Sequence, residues 1–296
     1  MLRITDLYKS FGNVRVLDGL DLHVPEHSIF GFIGKNGSGK TTTMKTVLGL
    51  LKADSGTVEV AGEKVVYGNS PTNRHVGYLP DVPEFYSFMT APEYLRFCGE
   101  ITGMTNTDIK KRSGELLELV GLSGERHRIG GFSRGMKQRL GIAQALINSP
   151  RLLICDEPTS ALDPVGRKEI LDILTSAREK TTVIFSTHIL SDVERICTDV
   201  AFLKDGKAEL QGNISDVKSR YGIDEYSIET DCGDTVRALL ERFPAMTHIR
   251  GKLSFRESDV CVFDVLAYIS EKRLPTAKIE RCEPTLESLF MEAESK

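Results

Sequence analysis

The sequence predicts an α/β chain in two parts. The first is a parallel sheet sandwiched by helices, carrying an antiparallel β-subdomain and a helical subdomain. The second is a small α+β domain. Three observations lead there. Continuous apolar runs at residues 29–33, 152–155 and 182–185 have the pattern of strands covered on both faces, and a helical pattern lies between the last two. Strands and turns fill the first 60 residues, whereas residues 81–131 read as helices. Near Gly212 the long buried strands stop. A length of 296 residues agrees with about two domains. The expected boundaries are 1–215, with 82–150 as the helical subdomain, and 216–296.

Taken in order, residues 2–8 and 20–24 alternate apolar and polar side chains, as half-buried antiparallel strands do. Residues 29–33 feed a glycine-rich turn, and 41–51 carry Met44, Val47, Leu48 and Leu51 at helical spacing. Thr90-Ala91-Pro92-Glu93 is a capping box with Pro in the first turn, so a helix starts there. Further helices are expected at 108–120, stopped by Gly121, at 136–148, stopped before Pro150, and at 165–178. The last part reads strand 226–229, helix 235–243, hairpin 247–256 around Gly251-Lys252, helix 260–271, strand 277–281 and helix 286–293. That β-α-β-β-α-β order predicts a ferredoxin-like unit.

Composition narrows the function classes. A charged share of 27% and a hydrophobic share of 40% exclude a wholly disordered chain. A net charge of −4 argues against a dedicated nucleic-acid binder. No apolar run approaches the ~18–20 residues that span a bilayer, and Asp6 near the start does not suit a secretory signal. A cytoplasmic protein is expected. Its six scattered cysteines form no CxxC pair and are expected as free thiols.

Gly34-Lys35-Asn36-Gly37-Ser38-Gly39-Lys40-Thr41 fits the phosphate-loop pattern, Gly, four residues, then Gly-Lys-Thr or Gly-Lys-Ser. Its context is right, with a buried-type strand before and a helix after. Glycines let backbone N–H groups wrap a phosphate, and the helix N-terminus adds partial positive charge. Lys40 is expected at the β- and γ-phosphates, and the Thr41 hydroxyl at Mg²⁺. The apolar run at 152–155 ends in Asp156-Glu157. Ligands sit beyond the carboxyl ends of parallel strands, so two adjacent strands are expected to bring Lys40, Thr41, Asp156 and Glu157 together. Asp156 then assists Mg²⁺ through water, and Glu157 accepts a proton from the attacking water.

With these motifs the chain resembles the nucleotide-binding subunit of ATP-binding cassette (ABC) transporters. Phe132-Ser133-Arg134-Gly135-Met136-Lys137-Gln138-Arg139-Leu140 stands where that family carries its LSGGQ signature. Ser160-Ala161-Leu162-Asp163 resembles the D-loop, and Ser186-Thr187-His188 the switch-histidine loop. The likeness covers about residues 1–215. It implies the ABC form of the P-loop fold, ATP and Mg²⁺ as cofactors, and a composite site between two copies. Thr42, Asp163 and the loop residues would line the nucleotide, and His188 would hold the γ-phosphate. Ser133 and Gly135 would touch the γ-phosphate held by the partner. Phe11 matches the aromatic that stacks on adenine, although an aromatic before a turn glycine is also commonly a core residue.

Two departures stand out. Where the family often carries a glutamine, Gly77-Tyr78-Leu79-Pro80-Asp81 ends in an acid, which can accept from metal-bound water but lacks an amide donor. Arg134 adds a cation inside the signature. Lys137 and Arg139 fit a solvated helix face better than a nucleic-acid site. Residues 82–89, in the family the region that meets the membrane subunit, read either as a docking patch or as loop packing.

The resemblance therefore implies an ATPase subunit, peripheral on the inner face of the cell membrane. It would dimerise on ATP and drive transmembrane permease subunits on separate chains. The ending Glu283-Pro284-Thr285-Leu286-Glu287-Ser288-Leu289-Phe290 is similar to the tail of drug-exporter cassettes and tilts the expectation to export. The alternative is a non-transport ABC ATPase on the ribosome or nucleic acid. No nucleic acid is expected here, because one cassette without sustained heptads does not suit that class.

Overall fold

The structure is a computed structural model. It describes residues 1–220, 225–249, 251–282, 285–287 and 289–290. These form two compact units, Met1–Ile214 and a second that begins at Ser215.

In the first unit, β1 (Leu2–Phe11) and β2 (Val14–Val24) pair as an antiparallel hairpin, with Leu2 opposite Val24. Both strands run longer than their alternation predicts, because pairing across a tight Gly12-Asn13 turn holds exposed residues in line. Two more strands, β4 (Ser55–Val60) and β5 (Glu63–Lys64), complete a sheet of order β2-β1-β4-β5. Its inner face places Leu2, Ile4, Leu20, Leu22, Val58 and Val60 in the main core.

The second sheet contains β3 (Ile29–Ile33), β6 (Val76–Leu79), β7 (Leu152–Asp156), β8 (Thr182–Thr187), β9 (Asp199–Lys204) and β10 (Lys207–Asn213). Its order is β10-β9-β3-β8-β7-β6, parallel except for the β9–β10 pair. This corrects one expectation: β3 and β7 are not adjacent, because β8 lies between them. Ser186 of β8 sits opposite Phe32 of β3 and Asp156 of β7. Sequence order carries no record of such a crossover.

Helix α1 (Lys40–Val47) is shorter than predicted and ends before Gly49, which takes φ 69°. In α2 (Ala91–Ile101) the predicted capping box is present, with the Thr90 amide donating to Glu93 Oε2 at 2.8 Å. Along with α3 (Asn106–Leu119) and α4 (Arg134–Ala145) it builds a helical layer in which Leu95, Ile109, Leu116 and Leu140 are buried. The Tyr94 hydroxyl on α2 donates to Gln144 Oε1 on α4 at 3.1 Å. Two helices, α5 (Pro164–Ala177) and α6 (Leu190–Ile196), follow β7 and β8. The next, α7 (Ile214–Arg220), crosses the division between the units.

The second unit runs β11 (Glu225–Glu229), α8 (Gly233–Arg242), β12 (Thr247–Ile249), β13 (Lys252–Arg256), α9 (Val262–Lys272) and β14 (Lys278–Cys282). All its strand pairs are antiparallel, in the order β12-β13-β11-β14. Ile228, Leu239, Leu253, Phe255 and Val265 form its core. The helix expected at 286–293 lies partly outside the described residues; Leu286, Glu287, Leu289 and Phe290 are helical. All six cysteines are unpaired.

Candidate functional site

Every residue of β3 is buried, and the strand delivers the glycine-rich turn to the carboxyl edge of the sheet. Two of its glycines, Gly34 and Gly39, leave no room for a side chain. A Cβ on Gly34 would come 2.5 Å from Ser38 Oγ and 2.7 Å from the Leu203 carbonyl. Gly39 caps α1 at φ 106°, a conformation that a Cβ would strain. No side chain caps α1 and no acid lies in its first turn, so its free amides and positive end suit an anion. Ser38 Oγ is buried without a hydrogen-bond partner, as expected of a hydroxyl awaiting a ligand.

Lys40 is only 6% exposed. Its Nζ donates to the carbonyls of Gly34 at 2.6 Å and Lys35 at 3.1 Å, and lies 3.6 Å from Glu157 Oε1. Burial pushes the ammonium below the ordinary lysine range, against the opposing pull of the Glu157 and Asp156 carboxylates.

A chain of contacts joins the ends of three elements. Thr41 Oγ1 donates to Asp156 Oδ2 at 2.9 Å, and Ser186 Oγ donates to Asp156 Oδ1 at 2.6 Å. The Glu157 amide donates to Ser186 Oγ at 2.9 Å, and His188 Nδ1 lies 3.0 Å from Glu157 Oε2. Glu157 adopts φ 48°, uncommon for a residue with a Cβ. That left-handed turn carries its side chain back toward Lys40 and His188. Nearby, burial, and after it the Asp156 carboxylate, push the Tyr78 phenol up to about 12.

The structure thus gathers Lys40, Thr41, Asp156, Glu157 and His188. Asn36, Gly37 and Thr42 lie in the loop and the first turn of α1. Phe11 ends β1, 50% exposed, with Lys9 Nζ 5.3 Å from its ring centroid. Ser133 and Asp163 are helix N-caps. They accept from the amides of Met136 at 3.2 Å and Gly166 at 3.0 Å. Gly135 sits in the first turn of α4. Among the described residues no hydrogen bond joins these caps to the cluster.

Asp81, expected to accept from metal-bound water, lies against the loop that follows β7. It accepts from Ser160 Oγ at 2.7 Å and lies 3.7 Å from Arg134 Nη2. The cause is topological: β6 and β7 pair in parallel, so the loops that follow them are neighbours. The segment at 82–89 is largely open, with Val82, Tyr86 and Phe88 exposed.

Sequence reasoning named Ser186 only within the stretch Ser186-Thr187-His188, with no role of its own, and did not single out Thr159, Arg167 or Asp192. Ser186 had one signal, a hydroxyl ending an apolar run; Asp192, buried on a seven-residue helix, had none.

A phosphate loop beside an acid that ends a buried parallel strand defines a P-loop nucleoside-triphosphate hydrolase. Residues 17–160 match the family described as ABC transporter. The chain is 36% identical, over 98% of both lengths, to an uncharacterised ABC transporter ATP-binding protein, YxlF, of Bacillus subtilis (strain 168). It is 43% identical to the bacitracin transport ATP-binding protein BcrA of Bacillus licheniformis, over 70% of this chain and 68% of that one. Among solved structures it is similar to the dimeric post-hydrolysis state of the cassette MJ0796 bound to ADP and Pi (TM-score 0.64, 25% identity, 72% of this chain and 99% of that one). The chain belongs to the ATP-binding proteins of ABC transporters. Its reaction is ATP hydrolysis coupled to transport, with ATP and Mg²⁺ as cofactors.

The residues fit both groups. The uncapped α1, the crowded glycines and the orphan Ser38 hydroxyl suit phosphates. Thr41 and Asp156 offer hard oxygens to Mg²⁺. Among the described residues no group of three His, Cys, Asp or Glu could hold a metal. No helix among them is long and apolar enough to cross a membrane.

Proposed function

We propose that this chain powers an exporter as one of two identical ATPase subunits, bound peripherally at the inner face of the cell membrane to permease subunits on separate chains. The observation that supports it most is the unbroken line Thr41–Asp156–Ser186–Glu157–His188 beside the buried Lys40. Gly34, Asn36, Gly37, Ser38, Gly39 and Thr42 would wrap the phosphates, and Phe11 would stack on adenine. Lys40 neutralises the β- and γ-phosphates. Thr41 and Asp156 would hold Mg²⁺, and Asp81 would accept hydrogen bonds from metal-bound water. When bound, the ion neutralises charge on the phosphates.

Glu157 takes the proton of the attacking water. His188, at 3.0 Å, steadies that carboxylate and contacts the γ-phosphate. Ser133, Gly135 and Asp163 of one copy close the site of the other, so ATP stabilises the closed pair and its cleavage removes the bridge. The MJ0796 dimer supports the pairing, and the relative named for bacitracin transport supports a role in transport.

The test is Glu157→Gln. It should retain ATP binding and lose turnover by ~10²- to 10⁴-fold. Turnover at the parent rate would remove Glu157 as the base.

A further inference from the structure

A second polar cluster lies behind the site. The Asp192 carboxylate on α6 is buried, 4% exposed, and both its oxygens are engaged. Oδ2 accepts from Thr159 Oγ1 at 2.8 Å and Oδ1 from Arg167 Nη2 at 2.7 Å. Thr159, 1% exposed, stands two residues after Glu157 in the turn that leaves β7. Arg167 lies on α5, one turn after its cap Asp163. Asp192 lies in the first turn of α6, the helix that begins just after His188. The carboxylate therefore fastens both ends of the stretch from Thr159 to Arg167 to the helix that follows His188.

That helix is a firm base. Val193, beside Asp192, is fully buried and packs so closely on β3 that a Cβ on Gly31 would come 2.8 Å from it. The Glu157 turn is held at its start by the Glu157 amide on Ser186 Oγ and by the Ser160 amide on the Glu157 carbonyl, and Glu157 itself occupies a left-handed conformation. Strained residues persist where their surroundings over-determine them, and the charge-assisted, buried Thr159–Asp192 bond adds a further constraint two residues on.

We infer that Asp192 is a positioning residue of the hydrolytic site. With Thr159 and Arg167 it sets the separation of Glu157 and His188. This rests on the proposed roles of those two residues. The clamp touches no phosphate or metal position, so it acts on kcat and not on nucleotide affinity. Distances near the reacting atoms carry steep rate penalties, so loosening the turn costs far more rate than binding.

The experiment compares Thr159→Val, which removes the hydroxyl at nearly constant shape, with Thr159→Ser, which keeps it. In the full chain, Thr159→Val should lower kcat about 10- to 100-fold with the Kd for ATP and the Mg²⁺ requirement unchanged, and Thr159→Ser should stay near the parent. In a His188→Ala background, where the pair is already broken, Thr159→Val should cost little more. Parent kcat in Thr159→Val, equal loss in Thr159→Ser, or a fully additive loss beside His188→Ala would each overturn the inference. If Thr159→Val shows no thermal unfolding transition, Arg167→Gln replaces it. The same pattern at a smaller factor is then expected, and unchanged kcat overturns the proposal. The outcomes separate the two readings: a fully active Glu157→Gln removes the base assignment, whereas an inactive Glu157→Gln with a fully active Thr159→Val removes only the clamp.

Discussion

The N-termini of α1 and α4 make an instructive pair. Both open at glycine-rich turns, and both carry a cation as their first helical residue, Lys40 and Arg134. Yet α1 has no side-chain cap, and its lysine is buried at 6% exposure among carbonyls and carboxylates. By contrast α4 is capped by Ser133, and the Arg134 side chain is 49% exposed, shared between Ser160 and Asp81. The first end is suited to an anion. The second is satisfied in isolation, and in the proposed pair it would act as a surface half-site, exchanging partners at modest cost because exposed ion pairs contribute only ~0–1 kcal/mol.

The largest expected break falls on the buried side. Lys40→Met should abolish measurable turnover, a loss beyond ~10²-fold, because a preorganised charge in a dry site carries much of the stabilisation. The same variant tests the lowered Lys40 pKa without nucleotide. A folded-state pKa below the ordinary ~10.4 means that, between the two values, the unfolded chain holds a proton the folded one has shed. Stability of the parent should therefore rise relative to Lys40→Met as pH climbs toward 10. Melting temperatures measured at intervals from pH 8 would show it, and a constant difference would contradict the burial argument.

On the exposed side the effects are smaller. Ser133→Ala should lose about 1 kcal/mol of folding stability through its cap. It should keep monomer ATP affinity while weakening the ATP-dependent pair, read by sedimentation with and without ATP. Full-strength pairing would break the contrast drawn between the helices. Smallest of all, Asp81→Asn should raise the Mg²⁺ needed for half-maximal turnover by less than about tenfold, since its carboxylate is half exposed and already shared. A larger rise would make Asp81 a direct ligand.

What was legible in the sequence had a local cause. Gly34 and Gly39 mark backbone that refuses a Cβ, and Thr90 with Glu93 closes a cap within four residues. Ile29–Ile33 is apolar throughout because both its faces are covered. The short β6 and the polar-alternating β10 went unseen, since neither has a pattern that outweighs a loop. For the candidate site, motif residues were legible but their support was not. Asp81 and Arg134 stood as separate departures until the loops after β6 and β7 were found side by side.

The sequence alone determined the phosphate loop, the paired acids, the helix caps and the change of character near Gly212. Each depends on neighbours within a few residues, where propensity and spacing decide. Tertiary structure alone decided that β8 enters between β3 and β7, that Ser186 links Asp156 to Glu157, and that Asp192 ties the turn after β7 to the helix after His188. Those contacts join residues 29 to 33 positions apart, and only the packing of the whole sheet fixes which strands, and hence which side chains, meet.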